Sequence, residues 1–342
     1  MKILNKFSTK AYSLSHTAKI NCLNFASIAL FTAITLFDSY TNFVSFKTIN
    51  IVKQNKISKM ENTSQKVWFV TGASKGLGLV LVKHLLNNGQ KVAATSRNIE
   101  ELREAVGIVS DNFLPLAVQL TQEENVAVGI KAAVDYFGKI EVIVNNAGYG
   151  LVGAVEELSD EETRQNFEVN VFGSLNVIRQ ALPYLRAQKA GHIFNIASIG
   201  GFTGAFPGFG IYCATKFAMH GFSESLAAEV KDFGINVTIV SPGYFRTNFL
   251  SASSLSVPKN QIQDYQTVRE VQSTHENDYD GNQNGDPEKA AEVLIKIAES
   301  QQPPLHLFLG ADAYHLAEVK MEAVRQDLES VRALATATGF DN

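Results

Sequence analysis

The chain is short of the residues that build several protein classes. It has two cysteines in 342 residues, Cys22 and Cys213. That excludes a disulfide framework and a cysteine-based metal cluster, so no metal site is expected and a reducing compartment is the simplest setting. Arginine is missing from residues 1–59, which hold eight lysines and one acid, Asp38. This leader therefore carries about +7 and the remainder about −11, against −4 for the whole chain. An acidic body without a Lys/Arg cluster excludes a nucleic-acid scaffold, which needs a basic face. Residues 20–37 are 18 positions without a charge, near the length of a membrane span, but Asn21, Asn24, Ser27, Thr32 and Thr35 dilute them. No small-x-small cleavage site follows, and a transit peptide would carry arginines.

Met60 opens "MENTSQKVWFVTG", with a strand seven residues later, a natural start for a compact domain. Residues 1–59 are therefore read as a leader: disordered, an over-extended start, or a weak membrane anchor through 20–37. The expected location is cytoplasmic, with membrane anchoring as the alternative.

What is abundant after residue 60 is alternation. Short apolar, β-branched runs at 67–71, 91–96, 113–118, 140–145, 192–197, 236–240 and 305–309 read as strands buried on both faces. Amphipathic stretches at 77–88, 122–137, 160–187, 212–233 and 286–299 lie between them. Thr121 with Glu124 and Ser159 with Glu162 fit capping boxes, and Asp286-Pro287 fits a cap followed by proline at the first helical position. The pattern predicts one α/β domain over 60–342: a Rossmann-like, doubly wound parallel sheet of about seven strands with helices on both faces. Residues 250–286 are polar and weakly patterned, and are expected to form a lid over a substrate pocket.

Two motifs carry chemistry. "TGASKGLG" (71–78) follows the first strand and opens a helix. Gly72 permits the tight turn, Gly76 lets backbone approach a pyrophosphate, and Gly78 lets the helix pack on the sheet; the helix N-terminus favours phosphate. "IYCATK" (211–216) places Lys216 one helical turn beyond Tyr212. Bringing a phenol from ~10 to near 7 takes about 3 units, or roughly 4 kcal/mol. One charge at ~4 Å supplies about that at an effective dielectric of ~20. Lys216 is thus expected to make Tyr212 an acid/base near neutral pH.

Together with "NNAG" (145–148), Asn170, Ser198 and "SPGYFRT" (241–247), these motifs resemble the short-chain dehydrogenase/reductases over roughly 66–335. The resemblance implies a catalytic set of Asn170, Ser198, Tyr212 and Lys216. Ser198 would hydrogen-bond the substrate carbonyl, and Asn170 would hold a helix distortion and a proton-relaying water. Ser198 and Tyr212 are 14 positions apart, one more than the family pattern, which the glycines between them can absorb. The cofactor would lie against Gly72, Ser74, Lys75, Gly76, Leu77, Gly78, Arg97, Asn146, Ala147, Gly148, Pro242, Gly243 and Thr247, with Tyr212 and Lys216 also touching it.

The second strand ends "AATSRN", without the acid that an NAD site uses on the ribose 2′-OH. Lys75 and Arg97 instead suit a 2′-phosphate, so NADP is expected over NAD. Gln119 stands where the family often has an aspartate beside adenine. The expected substrate is an apolar carbonyl or alcohol, because 149–152, 201–209 and 244–250 are rich in Phe, Leu and Val. No nucleic acid is expected as partner, membrane contact follows only if 20–37 is an anchor, and a homo-oligomer is expected. A non-catalytic NADP(H)-binding sensor on the same fold is the alternative function.

Overall fold

A computed structural model describes residues 65–250 and 254–340, all within the compact unit Ser64–Asn342. The leader, including 20–37, lies outside the described residues. Among the described residues no helix is long and apolar enough to cross a membrane.

All seven expected strands are present: β1 Val67–Val70, β2 Lys91–Ser96, β3 Phe113–Ala117, β4 Val142–Asn145, then β6 Gly191–Ile196, β7 Ile235–Pro242 and β9 His306–Leu309. Two further short strands, β5 Gly150–Leu151 and β8 Leu255–Ser256, pair with each other. The large sheet runs β3-β2-β1-β4-β6-β7-β9, parallel throughout. Its order reverses between β1 and β4, which is where a crevice opens at the strands' C-terminal ends. Pro115 sits on edge strand β3, where its missing N–H costs no central ladder bond.

Alternation along each strand feeds two cores. Trp68, Val70, Val144 and Phe194 pack against α1 (Gly76–Asn87), α2 (Ile99–Val106) and α8 (Pro287–Glu299). Phe69, Ile143 and Ile193 pack on the opposite face against α3 (Glu123–Phe137), α5 (Gly173–Gln188) and α6 (Gly210–Val230). Each such side chain, fully buried, contributes about 1.5–3 kcal/mol. The sheet is therefore covered on both faces.

Local starts and stops differ in places from the sequence pattern. Ser159 and Glu162 form the capping box at α4 (Asp160–Phe167), and Asp286 caps α8 through Glu288 N at 3.0 Å. The Thr121 box does not form. Gln122 is the N-cap of α3, and Thr121 Oγ1 instead accepts from Gln119 Nε2 at 3.4 Å. The helix expected over 160–187 is α4 and α5 joined by a π-turn, Glu168–Phe172. The pattern also gave no sign of α2, which Asn98 caps by accepting from Glu100 N and Glu101 N. The 250–286 insert contributes β8, α7 (Gln266–Ser273) and a π-turn, Thr274–Tyr279; residues 251–253 lie outside the described residues. The C-terminal helix α9 spans Ala311–Thr336.

Candidate active site

The glycine turn shows why glycine stands there. Gly72 has φ 64°, in the left-handed region, and a Cβ on it would sit 2.7 Å from Ala147 Cα. A Cβ on Gly78 would run into the Asn146 amide and lie 2.7 Å from Gly72 O. Gly78 thus lets α1 close onto the turn itself, rather than onto the sheet as the motif led us to expect. Asn146 Nδ2 donates to Thr71 O and Gly72 O at 2.9 and 3.0 Å. Thr71 Oγ1 accepts from Asn146 N and Ala147 N at 3.0 and 3.1 Å. These bonds fasten the turn to the end of β4 and leave the start of α1 facing a cavity.

That cavity has a volume of about 610 Å³. Of the residues expected at the site, all line it except Gly78 and Asn170. Gly78 shapes the turn from behind. Asn170 is fully buried in the π-turn, where the bulge aims its side chain across to two neighbouring elements. Its Oδ1 accepts from Tyr149 N at 3.0 Å, and its Nδ2 donates to Tyr149 O and Thr215 Oγ1 at 3.0 and 3.1 Å. Asn170 therefore joins the loop after β4 to α6.

Ser198, Tyr212 and Lys216 meet at the end of β6. Ser198 Oγ accepts from Gly200 N at 3.0 Å and stands beside the Tyr212 hydroxyl. Lys216 Nζ donates to Ile196 O at 2.8 Å and lies 5.9 Å from the Tyr212 ring centroid. The two side chains share one face of α6, as their spacing requires. Their electrostatics differ from expectation. Burial pushes the Tyr212 phenol up, above its ordinary value, and the neighbouring Ser198 hydroxyl only partly opposes this. Burial also brings Lys216 down to about 7. Desolvation of both groups thus outweighs their attraction in the free protein. At neutral pH the tyrosine is a protonated phenol rather than already ionised.

Under the site, Asn145 Nδ2 donates to Asn195 Oδ1 at 2.8 Å and Asn195 Nδ2 to Ser223 Oγ at 2.7 Å. This buried chain joins β4, β6 and α6. The only sequence signal for it was a polar residue in each of three apolar segments.

The insert forms one wall. Tyr244, His275 and Gln283 line the cavity with Phe206, Phe209 and Phe249. His275 Nδ1 donates to Val271 O at 2.7 Å, which leaves Nε2 to accept from the Tyr244 hydroxyl at 2.9 Å. Glu157 ties the insert to the body. Its carboxylate accepts from Ala154 N and Ile262 N, both at 2.7 Å, and from Arg269 Nη2 at 2.5 Å. His275, Gln283 and Glu157 were not singled out from sequence, the first two because the insert's pattern carries no period; Tyr244 belongs to the 244–250 stretch expected in the pocket wall.

The cavity fits a dinucleotide on three observations. The uncapped start of α1 opens into it beside Gly76, whose φ of 59° and open surroundings allow close approach. Thr95 Oγ1 and both amide atoms of Gln283 are buried without a hydrogen-bond partner, and both residues line the cavity. Thr247 faces Gly76 across the crevice, 3.9 Å from where a Cβ would stand.

The family model described as short chain dehydrogenase matches residues 66–256. The chain belongs to that family. As a short-chain dehydrogenase/reductase it is an oxidoreductase acting on CH–OH/C=O groups with NAD(P). Among curated relatives, "Oxidoreductase BOA17" of Botryotinia fuckeliana is 37% identical over 274 residues, 80% of this chain and 99% of that protein. A "3-ketodihydrosphingosine reductase" of Bacteroides thetaiotaomicron is 34% identical over 247 residues, 72% of this chain and 88% of that protein. A solved short-chain dehydrogenase from Streptomyces avermitilis superposes with TM-score 0.74 at 35% identity, covering 82% of this chain and all of that one (100%). One from Burkholderia cenocepacia, in complex with NADP, gives TM-score 0.60 at 28% identity over 79% and 98% of the two chains.

Proposed function

We propose that this short-chain dehydrogenase interconverts an apolar ketone or aldehyde and its alcohol with NADP, Tyr212 serving as acid/base. The observation that carries the reading is the convergence of Ser198, Tyr212 and Lys216 on a cavity that also contains the glycine turn. When bound, the nicotinamide supplies or accepts the hydride. The rest falls to the protein's own groups. The phenol of Tyr212 gives its proton to the carbonyl oxygen on reduction and takes it back on oxidation. Ser198 donates a hydrogen bond to the same oxygen and opposes its charge build-up. The Lys216 ammonium favours the phenolate that forms, and Ile196 O keeps that amine aimed. Asn170 holds Tyr149 and Thr215 in place on either side.

Preference for NADP rests on Thr95 and Ser96, which are uncharged at the end of β2, and on Lys75 and Arg97 beside them. Lys75 lies within electrostatic reach of both Arg97 and Glu101. Arg97 and Lys75 favour a 2′-phosphate, while Glu101 tempers their field. The apolar substrate class rests on Phe206, Phe209 and Phe249 in the wall, and the reductase from Bacteroides thetaiotaomicron is named for a ketone of that character. A homo-oligomer is supported by α9, where exposed Met321, Val324, Leu328 and Val331 follow a three-four-three spacing that a second copy would cover. A reducing, cytoplasmic setting fits the buried free thiol of Cys213.

The test is a panel of carbonyl compounds, followed at 340 nm with NADPH and with NADH. Turnover faster with NADPH is expected, with Tyr212→Phe lowering it by about 10²–10⁴-fold while dinucleotide binding survives. Binding without turnover on any compound would return the sensor reading. Faster turnover with NADH would overturn the cofactor preference alone.

A further inference from the structure

His220 and Glu224 stand one turn apart on α6, and His306 begins edge strand β9. One ligand atom from each lies within 4.8 Å of the other two. From this we infer a divalent transition-metal site, distinct from the catalytic groups, that clamps β9 to the helix carrying Tyr212 and Lys216. From sequence it was invisible, because His306 lies far along the chain from its two partners.

The arrangement has one fixed ligand and two adjustable ones. His220 is buried, at 6% exposure, and its Nε2 hydrogen-bonds Ser241 Oγ on β7 at 3.0 Å. An ion on Nδ1 requires the tautomer in which Nε2–H donates to Ser241, and such an outer partner is the usual support of a metal-binding histidine. His306 Nε2 and Glu224 Oε1 are 3.9 Å apart, with side chains 41% and 54% exposed. Ligands about 2.1 Å from a tetrahedral zinc ion sit roughly 3.4 Å from one another, so these two side chains must draw in by a rotamer adjustment that solvent leaves room for. Water completes the fourth position.

The donor set names the ion class. Two imidazoles and one carboxylate suit Zn²⁺ and its borderline neighbours, whereas Mg²⁺ and Ca²⁺ favour all-oxygen sites. The three ligands come from two elements, with Ser241 supplying a third. An ion would therefore bridge α6, β7 and β9 at the sheet's edge, where β9 has no further strand to hold it.

The test titrates Zn²⁺ into the full-length chain by calorimetry in a non-chelating buffer. The expected result is one equivalent per chain with micromolar dissociation, a rise in Tm, and no displacement by excess Mg²⁺. His306→Ala and Glu224→Gln, both at exposed positions, are expected to weaken binding about tenfold or more and to abolish the Tm rise, while circular dichroism stays unchanged. Loss of saturable binding in the wild type overturns the site. So does equal affinity in the two variants, which would put the ion elsewhere, for instance at the His84–Glu288 pair. Displacement by Mg²⁺ overturns the assigned ion class.

Discussion

Lys216 is a residue whose burial works against the fold. Its folded value, about 7, lies well below the 10.5 it has in the open chain. Between those values the unfolded chain holds a proton that the folded chain does not, so stability rises with pH across that window. Below it the cost of burying the charge is complete. Lys216→Met is therefore expected to raise the Tm of the free protein at pH 7 or lower, by the equivalent of a few kcal/mol. The gain should shrink toward pH 10, and turnover should vanish at every pH. Melting curves of wild type and variant from pH 6 to pH 10 check this; equal Tm values at pH 7 would refute it. Tyr212 and Lys216 were legible as a pair because their four-residue spacing fixes one helix face, whereas Ser198 was implied only by the family resemblance. The protonation of the pair was not legible, since it depends on how much water the surrounding elements exclude. That quantity is absent from a local pattern.

At the scale of elements, the strands were legible throughout because each is apolar on both faces. The break within 160–187 left no mark on the helical period, and only the family resemblance implied a distortion there, at Asn170. Its cause is the tertiary bond of Asn170 to Tyr149 and Thr215, which no helical period records. The 250–286 stretch was legible as an insert but not as a structure, since it is held by partners distant in sequence. Glu157 is the main one, joined to Ile262 and Arg269 across more than 100 positions. Glu157→Ala leaves Arg269 and the Ile262 amide without their acceptor. We expect KM for the carbonyl substrate to rise about tenfold, KM for the dinucleotide to change little, and proteolysis within 254–286 to quicken. Arg269→Met keeps Glu157 bonded to two backbone amides and should give a milder form of the same effects. Unchanged substrate KM and unchanged cleavage in both variants would show that Glu157 does not hold the insert over the cavity.

For the whole molecule, acid sensitivity follows from histidines buried as neutral rings. His192 on β6 stacks on Phe194, with ring centroids 4.0 Å apart, and bonds Thr238 Oγ1 at 2.9 Å. Burial, helped by Lys66, lowers it from 6.5 to about 3. Across that interval the unfolded chain binds the proton first, so stability falls as pH drops. His192→Gln is expected to flatten urea-unfolding stability between pH 6 and pH 4 by up to about 1.4 kcal/mol per pH unit. An unaltered slope would mean that this ring takes up its proton without leaving the fold. The cavity is built unevenly. The Asn145–Asn195–Ser223 chain pins its floor to two strands and a helix, while the opposite wall is held by Glu157, by the pairing of β8 with β5 and by bonds to Tyr244 and Arg246, none of them on the large sheet. We therefore expect backbone amides of 254–286 to exchange with solvent faster than those around Ser198 and Tyr212, as hydrogen exchange would measure.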